Sequence, residues 1–416
     1  MASVAINDAD ELYPFPDAGA VRGEAMRAIE PLARISLLCD EGLVASVGNA
    51  RPADITIDAR GCTVVPGFVD PHTHLPFFGW RADEDAARLS GLRYETLHRE
   101  QGGIYRSARL LAGASDDDVL AFSGELASAM LRRGTTTFET KSGYGLSIEG
   151  ELRQLHLAKS LSERVPQTVV TTCLAAHAVP EGKSEGEWIG EVATELLPRA
   201  AAEGLASSCD IYIESIAFQL EHAARLTQAA EELGLRMRMH ADQLEDGQSG
   251  AFAARWGLAS ADHLNHCSPA AVGDLATSAT AAVLLPGATF TLRQNKKPPA
   301  RSLIEEGAVV ALGTDLNPGT SPIFSMPFVV ALACRLYGFR PREALAAATV
   351  NAAYALGLHE QAGRLAPGCR ADAVVLGVPS FDDIPYRPDH DPVLAVLCNG
   401  ELVHVSSEGR ERVAGA

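Results

Sequence analysis

The sequence predicts an α/β fold: a (β/α)₈ barrel with a small attached β-sandwich that both chain termini form. Eight apolar runs of strand length alternate with longer segments of helical periodicity between residues 63 and 356. Short strand-like runs separated by Asp, Gly and Pro precede that region, and the same pattern returns after Gly363. A doubly wound open sheet is the second candidate, but no Gly-x-Gly-x-x-Gly motif follows the first strand.

The two ends of the chain predict the β-sandwich, with residues 1–65 and 363–416 in one composite domain and residues 66–362 in the barrel. Strand-like runs occur at 33–38, 43–47 and 54–58 before the barrel, and at 373–376, 395–397 and 402–405 after it. Asn399-Gly400 separates the last two runs by two residues that tolerate positive φ, which predicts a hairpin. The barrel is then an insertion in the middle of the sandwich.

The barrel strands are predicted where apolar runs end in polar loops. They are 63–69, 134–140, 168–175, 209–214, 236–240, 261–264, 281–285 and 309–313. Helices are predicted at 116–132, 150–161, 187–203, 219–233 and 341–356. Ser115 is a suitable N-cap for the first helix, because its hydroxyl can accept a hydrogen bond from a free N–H group of the first turn.

Composition excludes several classes of function. The formal net charge of −18 at pH 7 argues against a basic surface for nucleic acid, so no nucleic-acid partner is expected. No apolar run has the length of a membrane span and the acidic N-terminus lacks a secretory signal, so we expect a cytoplasmic protein without membrane contact. The eight cysteines are scattered without a Cys-x-x-Cys pair, which predicts reduced core thiols.

Histidines gather where the predicted strands end. His72 and His74 follow the first strand, and alternate residues of an extended chain point the same way, so both imidazoles can face one metal ion. Reactive residues of a parallel barrel sit at the carboxyl ends of its strands. His177, His240, His263 and Asp315 occupy the corresponding positions after other strands. A lone histidine is more often an ordinary core or surface residue, but this set favours a metal site.

His72, His74, His240 and Asp315 form a set of three imidazoles and one carboxylate that suits Zn²⁺ or Fe²⁺. Such a metal lowers the pKa of a bound water toward neutrality. Asp315 could take the proton of that water and later return it to a leaving nitrogen. His177 and His263 could polarise a substrate carbonyl or, alternatively, support the ligands from behind.

Two further residues are candidates for substrate binding. Arg81 closely follows the two histidines, and its planar guanidinium could hold a substrate carboxylate. A surface ion pair with Asp83 or Glu84 is an equally good interpretation of its spacing. Tyr144 lies in a loop flanked by glycines, where the backbone can approach a ligand closely.

Seven motifs in this order resemble those of the amidohydrolase superfamily and, within it, the imidazolonepropionase family, whose members carry out the third step of histidine degradation. The resemblance covers nearly the whole chain. The motifs are Pro66-Gly67-Phe68-Val69-Asp70-Pro71-His72-Thr73-His74, Gln101-Gly102-Gly103-Ile104, Lys141-Ser142-Gly143-Tyr144-Gly145-Leu146, Ala176-His177-Ala178-Val179-Pro180, Ala261-Asp262-His263-Leu264, Leu285-Pro286-Gly287 and Thr314-Asp315-Leu316-Asn317-Pro318-Gly319.

The resemblance implies a set of site residues, one Zn²⁺ or Fe ion per subunit, and a homodimer. The metal ligands would be His72, His74, His240 and Asp315, and the catalytic residues Asp315, His263 and Gln243. The substrate-binding residues would be Arg81, Tyr144, His177, Gln243, His263, Asn317, Gly319 and Thr320. Because the family lacks the bridging carboxylated lysine of dinuclear relatives, Lys141 is not predicted to be such a bridge.

The reaction implied by the resemblance is hydrolysis of the cyclic amide of 4-imidazolone-5-propanoate to N-formimino-L-glutamate. Metal-bound hydroxide would attack the ring carbonyl, with Asp315 as proton shuttle and His263 stabilising the oxyanion. Arg81 would pair with the propionate carboxylate, so the expected partner is a small molecule with a carboxylate.

Three features depart from the family pattern. Gln243 stands where some relatives have a glutamate, and a neutral amide cannot act as a base. Residues 293–297 (Arg-Gln-Asn-Lys-Lys) and Trp80 also differ from the expected residues. A sibling amidohydrolase acting on a hydantoin or thiohydantoin, or a heterocycle deaminase, is therefore an alternative. A catalytically inactive barrel that binds or assembles is a further alternative, although such proteins usually lack the metal ligands that this chain retains.

Overall fold

Eight parallel strands form a barrel in the computed structural model, which describes residues 2–91 and 102–415. Gln101 of the second quoted motif lies outside these ranges. The strands, each hydrogen-bonded to the next, are Phe68–Asp70, Thr135–Lys141, Thr168–Ala176, Ser208–Tyr212, Arg236–Ala241, Ser260–His263, Ala281–Leu284 and Val309–Leu312. Beyond the first and eighth strands, the N–H of His74 donates to the carbonyl of Leu316 at 2.9 Å and closes the ring. The predicted barrel is confirmed.

Helices surround the barrel, and serine side chains cap several of them. Ser115 accepts from the N–H of Asp118, as predicted, and Ser147 and Ser184 cap two others. Helices are found at Glu24–Arg27, Ala82–Leu89, Ile104–Gly113, Asp116–Arg132, Ile148–Ser162, Glu185–Glu191, Leu197–Ala202, Leu220–Glu232, Ser249–Arg255, Pro269–Thr277, Pro286–Thr291, Ala300–Glu306, Met326–Tyr337, Pro341–Ala347, Val350–Leu356 and Asp383–Tyr386. None of these helices combines the length and apolar character that crossing a membrane requires.

Both chain ends form a pair of five-stranded sheets beside the barrel. The first sheet has the order Val413–Ala414, Ile55–Asp58, Val4–Ala9, Ile35–Asp40, Leu43–Gly48, and the second Glu401–Val405, Val393–Cys398, Ala373–Leu376, Thr63–Pro66, Glu11–Leu12. Buried apolar side chains from both sheets, including Leu37, Ile57, Val64 and Val375, form one core. The domain boundaries at 65/66 and 362/363 stay a prediction.

The predicted hairpin joins two strands of the second sheet. Asn399 and Gly400 have φ values of 52° and 82°, and they connect Val393–Cys398 to Glu401–Val405. Two central residues with positive φ are what a tight hairpin between twisted strands requires.

The segment 63–69 was wrongly predicted as one barrel strand. Thr63–Pro66 pairs with Ala373–Leu376 in the sandwich, and only Phe68–Asp70 belongs to the barrel. The break is at Gly67, where a Cβ would lie 2.0 Å from Oγ1 of Thr136, so a side chain cannot be accommodated. The chain crosses from one sheet to the other at this glycine.

Two predicted helices are divided in the structure. The segment 341–356 forms Pro341–Ala347 and Val350–Leu356, because Thr349 leaves the helical conformation with φ −130° and ψ −94°. At this break the carbonyl of Ala348 accepts a hydrogen bond from the N–H of Val69 in the first barrel strand at 3.0 Å. The segment 187–203 begins earlier, at Glu185, and contains a π-helical turn at Val192–Leu196.

Candidate active site

A polar cavity opens at the carboxyl ends of the barrel strands. All predicted site residues line it except His72, which lies deeper with no exposed surface, and Gly319, which lies behind Arg81. Ile104 and Tyr212 line it as well and were not predicted. The lining residues are His74, Arg81, Ile104, Tyr144, His177, Tyr212, His240, Gln243, His263, Asp315, Asn317 and Thr320.

Three imidazoles and a carboxylate converge at the bottom of this cavity. Ligand atoms of His72, His74 and His240 all lie within 4.8 Å of one another. Oδ1 of Asp315 is 3.2 Å from Nε2 of His74 and 3.5 Å from Nε2 of His72. His263 also approaches, since its ring forms a second group within 4.8 Å with His72 and Asp315. The four predicted metal ligands are therefore brought together, with His263 beside them.

The donor atoms of this cluster fit a divalent metal ion. Nδ1 of His72 lies 2.6 Å from Oδ2 of Asp262, and Nδ1 of His240 lies 3.1 Å from Oδ1 of Asp210. These carboxylates fix the rings so that each Nε2 points inward, the arrangement usual for metal-binding histidines. Both Nε2 atoms, like Oδ1 of Asp315, are buried without a hydrogen-bond partner among the described residues.

Burial also sets the protonation of the cluster. It lowers the pKa of His72, His74 and His177 well below the usual value, and it lowers the pKa of His263 to about 3. These imidazoles are therefore neutral at neutral pH, which is the metal-binding form of the ring. Burial raises the pKa of the Asp315 carboxyl.

The loop after the eighth strand holds Asp315 by backbone and side-chain contacts. Asp315 has a φ of 55°, and its N–H donates to the carbonyl of His72 at 3.0 Å. Nδ2 of Asn317 donates to the carbonyl of Asp315 at 2.6 Å and to Oγ1 of Thr320 at 2.8 Å. The predicted residues Asn317 and Thr320 thus shape this loop as well as lining the cavity.

Arg81 lies at the rim with 3% of its surface exposed. Its Nε and Nη1 are buried without a hydrogen-bond partner among the described residues. Of the competing ion-pair partners, Glu84 lies 3.6 Å from Nε, whereas Asp83 pairs with Arg106. A Cβ on Gly319 would lie 1.2 Å from Nη2 of Arg81, so glycine is required where the guanidinium packs. An anion could be held at this guanidinium.

The glycine-flanked loop with Tyr144 is fixed by two side chains of the helix Ile148–Ser162. The carboxylate of Glu151 accepts hydrogen bonds from the N–H groups of Gly143 and Gly145 at 2.8 and 2.7 Å. Oε1 of Gln154 accepts from the N–H of Tyr144 at 2.9 Å. A Cβ on Gly145 would lie 2.1 Å from the backbone nitrogen of Glu151, so this close approach needs a glycine.

The segment 293–297, which departs from the family pattern, is connected to Gln243. Nε2 of Gln294 donates to the carbonyl of Gln243 at 3.1 Å. On the other side, Oε1 of Glu214 accepts from the N–H groups of Gln243 and Leu244 at 2.7 and 2.8 Å.

Trp80 does not line the cavity; it is 38% exposed and packs edge-on against Phe77 and Phe122.

Lys141 is fully buried and does not line the cavity. Its Nζ donates to Oε1 of Glu139 and to Oδ2 of Asp210, each at 2.7 Å. That Lys141 is not a bridging ligand stays a prediction.

Sequence reasoning missed several residues of the site. Asp210 and Tyr212 alternate on one strand and Arg238 alternates with His240 on the next, so each pair faces the barrel interior. That alternation is the signal that could have identified Asp210 and Tyr212. Ile104 begins the helix Ile104–Gly113, and its helical spacing to the buried residues Ala108 and Leu111 is the signal that could have identified it as facing inward.

Comparisons with known proteins identify the family of the chain. The sequence profile of the amidohydrolase family matches residues 63–411. An imidazolonepropionase from Symbiobacterium thermophilum is 40% identical over 406 residues, covering 95% of this chain and 96% of that protein. A second, from Rubrobacter xylanophilus, is 40% identical over 408 residues, covering 96% of this chain and 98% of that protein.

A solved structure shares the fold at low sequence identity. A zinc-bound adenosine deaminase from Xanthomonas campestris superimposes with a TM-score of 0.69 at 18% identity, covering 97% of this chain and 93% of that one. Together with the cluster of three imidazoles, membership of the family supports a bound metal ion. The chain belongs to the amidohydrolase family and, within it, to the imidazolonepropionases.

Proposed function

We propose that this chain hydrolyses the cyclic amide of 4-imidazolone-5-propanoate to N-formimino-L-glutamate, as the name of its relatives suggests. The observation that carries the proposal is the position of Arg81 beside the imidazole cluster. The substrate has a hydrolysable ring amide and a propionate carboxylate, and the cavity offers a group for each. The buried guanidinium of Arg81 has two nitrogens without hydrogen-bond partners among the described residues, and both could receive the carboxylate.

One Zn²⁺ or Fe ion per subunit would be held by His72, His74, His240 and Asp315. A metal ion bound by these residues lowers the pKa of a coordinated water and polarises a carbonyl oxygen. The zinc in the structurally similar deaminase supports zinc as the first ion to test.

Asp315 would move the proton. It would accept a proton from the attacking water through a carboxylate oxygen and return that proton to the ring nitrogen as the amide bond breaks. Its neighbour Thr320 has Oγ1 3.5 Å from Oδ2 of Asp315, so the hydroxyl could steady that oxygen. His263 would stabilise the developing oxyanion by hydrogen bonding. Gln243, as an amide without a titratable proton, would orient the ring through a hydrogen bond.

The remaining cavity residues would hold the substrate. Tyr144 and His177 adjoin one another, with ring centroids 5.5 Å apart, and would cover one face of the ring. Asn317, Gly319 and Thr320 would line the product side. We further propose that the protein is cytoplasmic and a homodimer, with domain boundaries at residues 65/66 and 362/363.

The direct test is an assay of the zinc-loaded protein on freshly prepared imidazolonepropionate, following the loss of ring absorbance against a chelator-stripped control. We expect turnover in the loaded protein only. Hydantoins and thiohydantoins with the same carboxylate side chain are run in parallel. Turnover of those rings with no turnover of imidazolonepropionate would contradict the proposal.

A further inference from the structure

A layer of buried charged side chains lies directly beneath the candidate metal ligands. It consists of Glu139, Lys141, Asp210, Arg238 and Asp262, defined here as the charge network. Each of these side chains is at most 1% exposed. The interior of a parallel barrel is ordinarily filled by branched apolar side chains, and a buried ion pair is weak evidence for stability because desolvation opposes it. A role other than packing is therefore expected.

One end of the charge network reaches His240. Nδ1 of His240 lies 3.1 Å from Oδ1 of Asp210, whose other oxygen accepts from Lys141 at 2.7 Å. The same Nζ donates to Oε1 of Glu139 at 2.7 Å. Lys141 is thus the group that fixes the second oxygen of Asp210.

The other end reaches His72. Nε of Arg238 is 3.9 Å from Oε1 of Glu139, and Nη2 of Arg238 donates to Oδ2 of Asp262 at 3.2 Å. That same oxygen of Asp262 lies 2.6 Å from Nδ1 of His72. The charges alternate in sign along the path from His240 to His72. The link between Arg238 and Glu139 is a charge contact at 3.9 Å, since Nε of Arg238 makes no hydrogen bond among the described residues, and the other links are hydrogen bonds.

The charge network also holds the backbone beside the ligands. Nη2 of Arg238 donates to the carbonyl of Pro71 at 2.8 Å. The side chain of Glu139 accepts from the N–H of Thr73 at 3.3 Å, and Oγ1 of Thr73 donates to the carbonyl of Glu139 at 2.6 Å. The residues on both sides of His72 are therefore held from below.

From this geometry we propose that Lys141 is a positioning residue for the metal site, and that the charge network couples the orientation of His72 to that of His240. The inference rests on the proposed metal site and extends it to residues that are not among the four metal ligands. Three carboxylates and two cations leave the network with one net negative charge under the metal position, which favours a bound cation. Without Lys141, Asp210 loses the donor that fixes it and can turn away from His240.

The test uses Lys141→Met, which keeps an unbranched side chain that is one atom shorter and removes its charge. The dissociation constant of Zn²⁺ is measured by competition with a chromogenic chelator, independently of turnover. We expect a weakening of about 10- to 100-fold, the usual effect of losing a group that orients a ligand. Glu139→Gln, which nearly preserves volume, should weaken Zn²⁺ binding in the same direction and serves as the second variant if Lys141→Met does not fold.

The control breaks an ion pair away from the site, between a buried carboxylate and a half-buried guanidinium. Glu343 is fully buried and pairs with Arg301, so Glu343→Gln should lower the melting temperature and leave the Zn²⁺ dissociation constant unchanged. If Lys141→Met and Glu139→Gln lower the melting temperature but keep the wild-type dissociation constant within about twofold, the proposal is overturned. If the wild-type protein itself binds no Zn²⁺, the proposed metal site fails instead, so the two failures are distinguishable.

Coupling between the histidines is tested by a double-mutant cycle of Asp210→Asn and Asp262→Asn. We expect their effects on the Zn²⁺ dissociation constant to be non-additive by more than about threefold, since both carboxylates belong to one network. Strict additivity would overturn the coupling. The absorption spectrum of the Co²⁺-substituted protein should also change in Lys141→Met, whereas a purely structural role would leave it unchanged.

Discussion

The barrel and the terminal sandwich are both built from strands, yet their interiors differ in kind. Between the two sandwich sheets lie apolar side chains such as Leu37 and Ile57. Beneath the barrel mouth lie Glu139, Lys141 and Arg238, all buried and charged. Buried charges lower the stability of a fold because they lose their hydration. We therefore interpret the charged barrel interior as orienting the proposed metal ligands, and the apolar sandwich interior as stabilising the fold. Substitutions in the two regions should therefore affect different measurements.

The largest effect is expected at the mouth, from Asp315→Asn. An amide cannot accept the proton of the attacking water, so kcat should fall by about 10³-fold or more. The melting temperature of the chelator-stripped protein should change little, because Oδ1 of Asp315 has no hydrogen-bond partner among the described residues. Steady-state kinetics and thermal melts measure the two quantities. Near-normal turnover would refute the proposed role of Asp315.

The contrasting change in the sandwich is Leu37→Ala. Leu37 is fully buried in the core between the two sheets, and truncation leaves a cavity there. We expect the free energy of unfolding to fall by about 2–5 kcal/mol. KM and kcat at a temperature well below unfolding should match those of the wild type. A large change in KM would show that packing in the sandwich affects substrate binding at the barrel mouth. It would contradict the expectation that the two regions affect different measurements.

Arg81→Ala should act chiefly on KM. Loss of the charged hydrogen bonds to a carboxylate should raise KM by about 10- to 100-fold. Arg81→Lys should be intermediate, since an ammonium keeps the charge and loses the planar pair of donors. The KM values of the wild type and both variants are measured with a substrate that has the propionate carboxylate. An unchanged KM in Arg81→Ala would leave the carboxylate without its proposed partner.

Glu214 makes the stability of the mouth dependent on pH. Burial raises the pKa of this carboxyl to about 8, from 4.5 in the unfolded chain, with Glu245 and Asp242 adding to the rise. The folded state binds this proton more tightly, so its contribution to stability is complete below pH 4.5 and is lost as pH rises through about 8. Glu214→Gln should flatten this fall in urea unfolding between pH 4.5 and about pH 8. If the free energy of unfolding of Glu214→Gln falls with pH as steeply as that of the wild type, other titratable groups cause the fall.

The smallest effect is expected at an exposed ion pair of the sandwich. Arg60 and Asp58 are in contact, with side-chain exposures of 74% and 39%. Exposed pairs are screened by water and salt, so Arg60→Ala should leave the melting temperature within experimental error. A clear loss of stability there would show that surface charge matters more in the sandwich than its apolar core suggests.

The sequence by itself determined the barrel, the sandwich from both termini and the group of histidines at the strand ends. These follow from local signals: alternation of apolar runs and helices, Asn399-Gly400 at the hairpin, and His72 and His74 two residues apart on one face. Periodicity of this kind is a property of a short segment, so it can be identified without knowing what lies opposite.

Only the tertiary structure decided which side chains meet across the barrel. The division of 63–69 at Gly67 depends on Thr136 of the neighbouring strand, and at the break before Thr349 the carbonyl of Ala348 meets the N–H of Val69. The charge network unites Lys141, Asp210 and Asp262 from three strands far apart in sequence. A buried charge is stable only beside its partner, and closure of the barrel fixes which residues become partners.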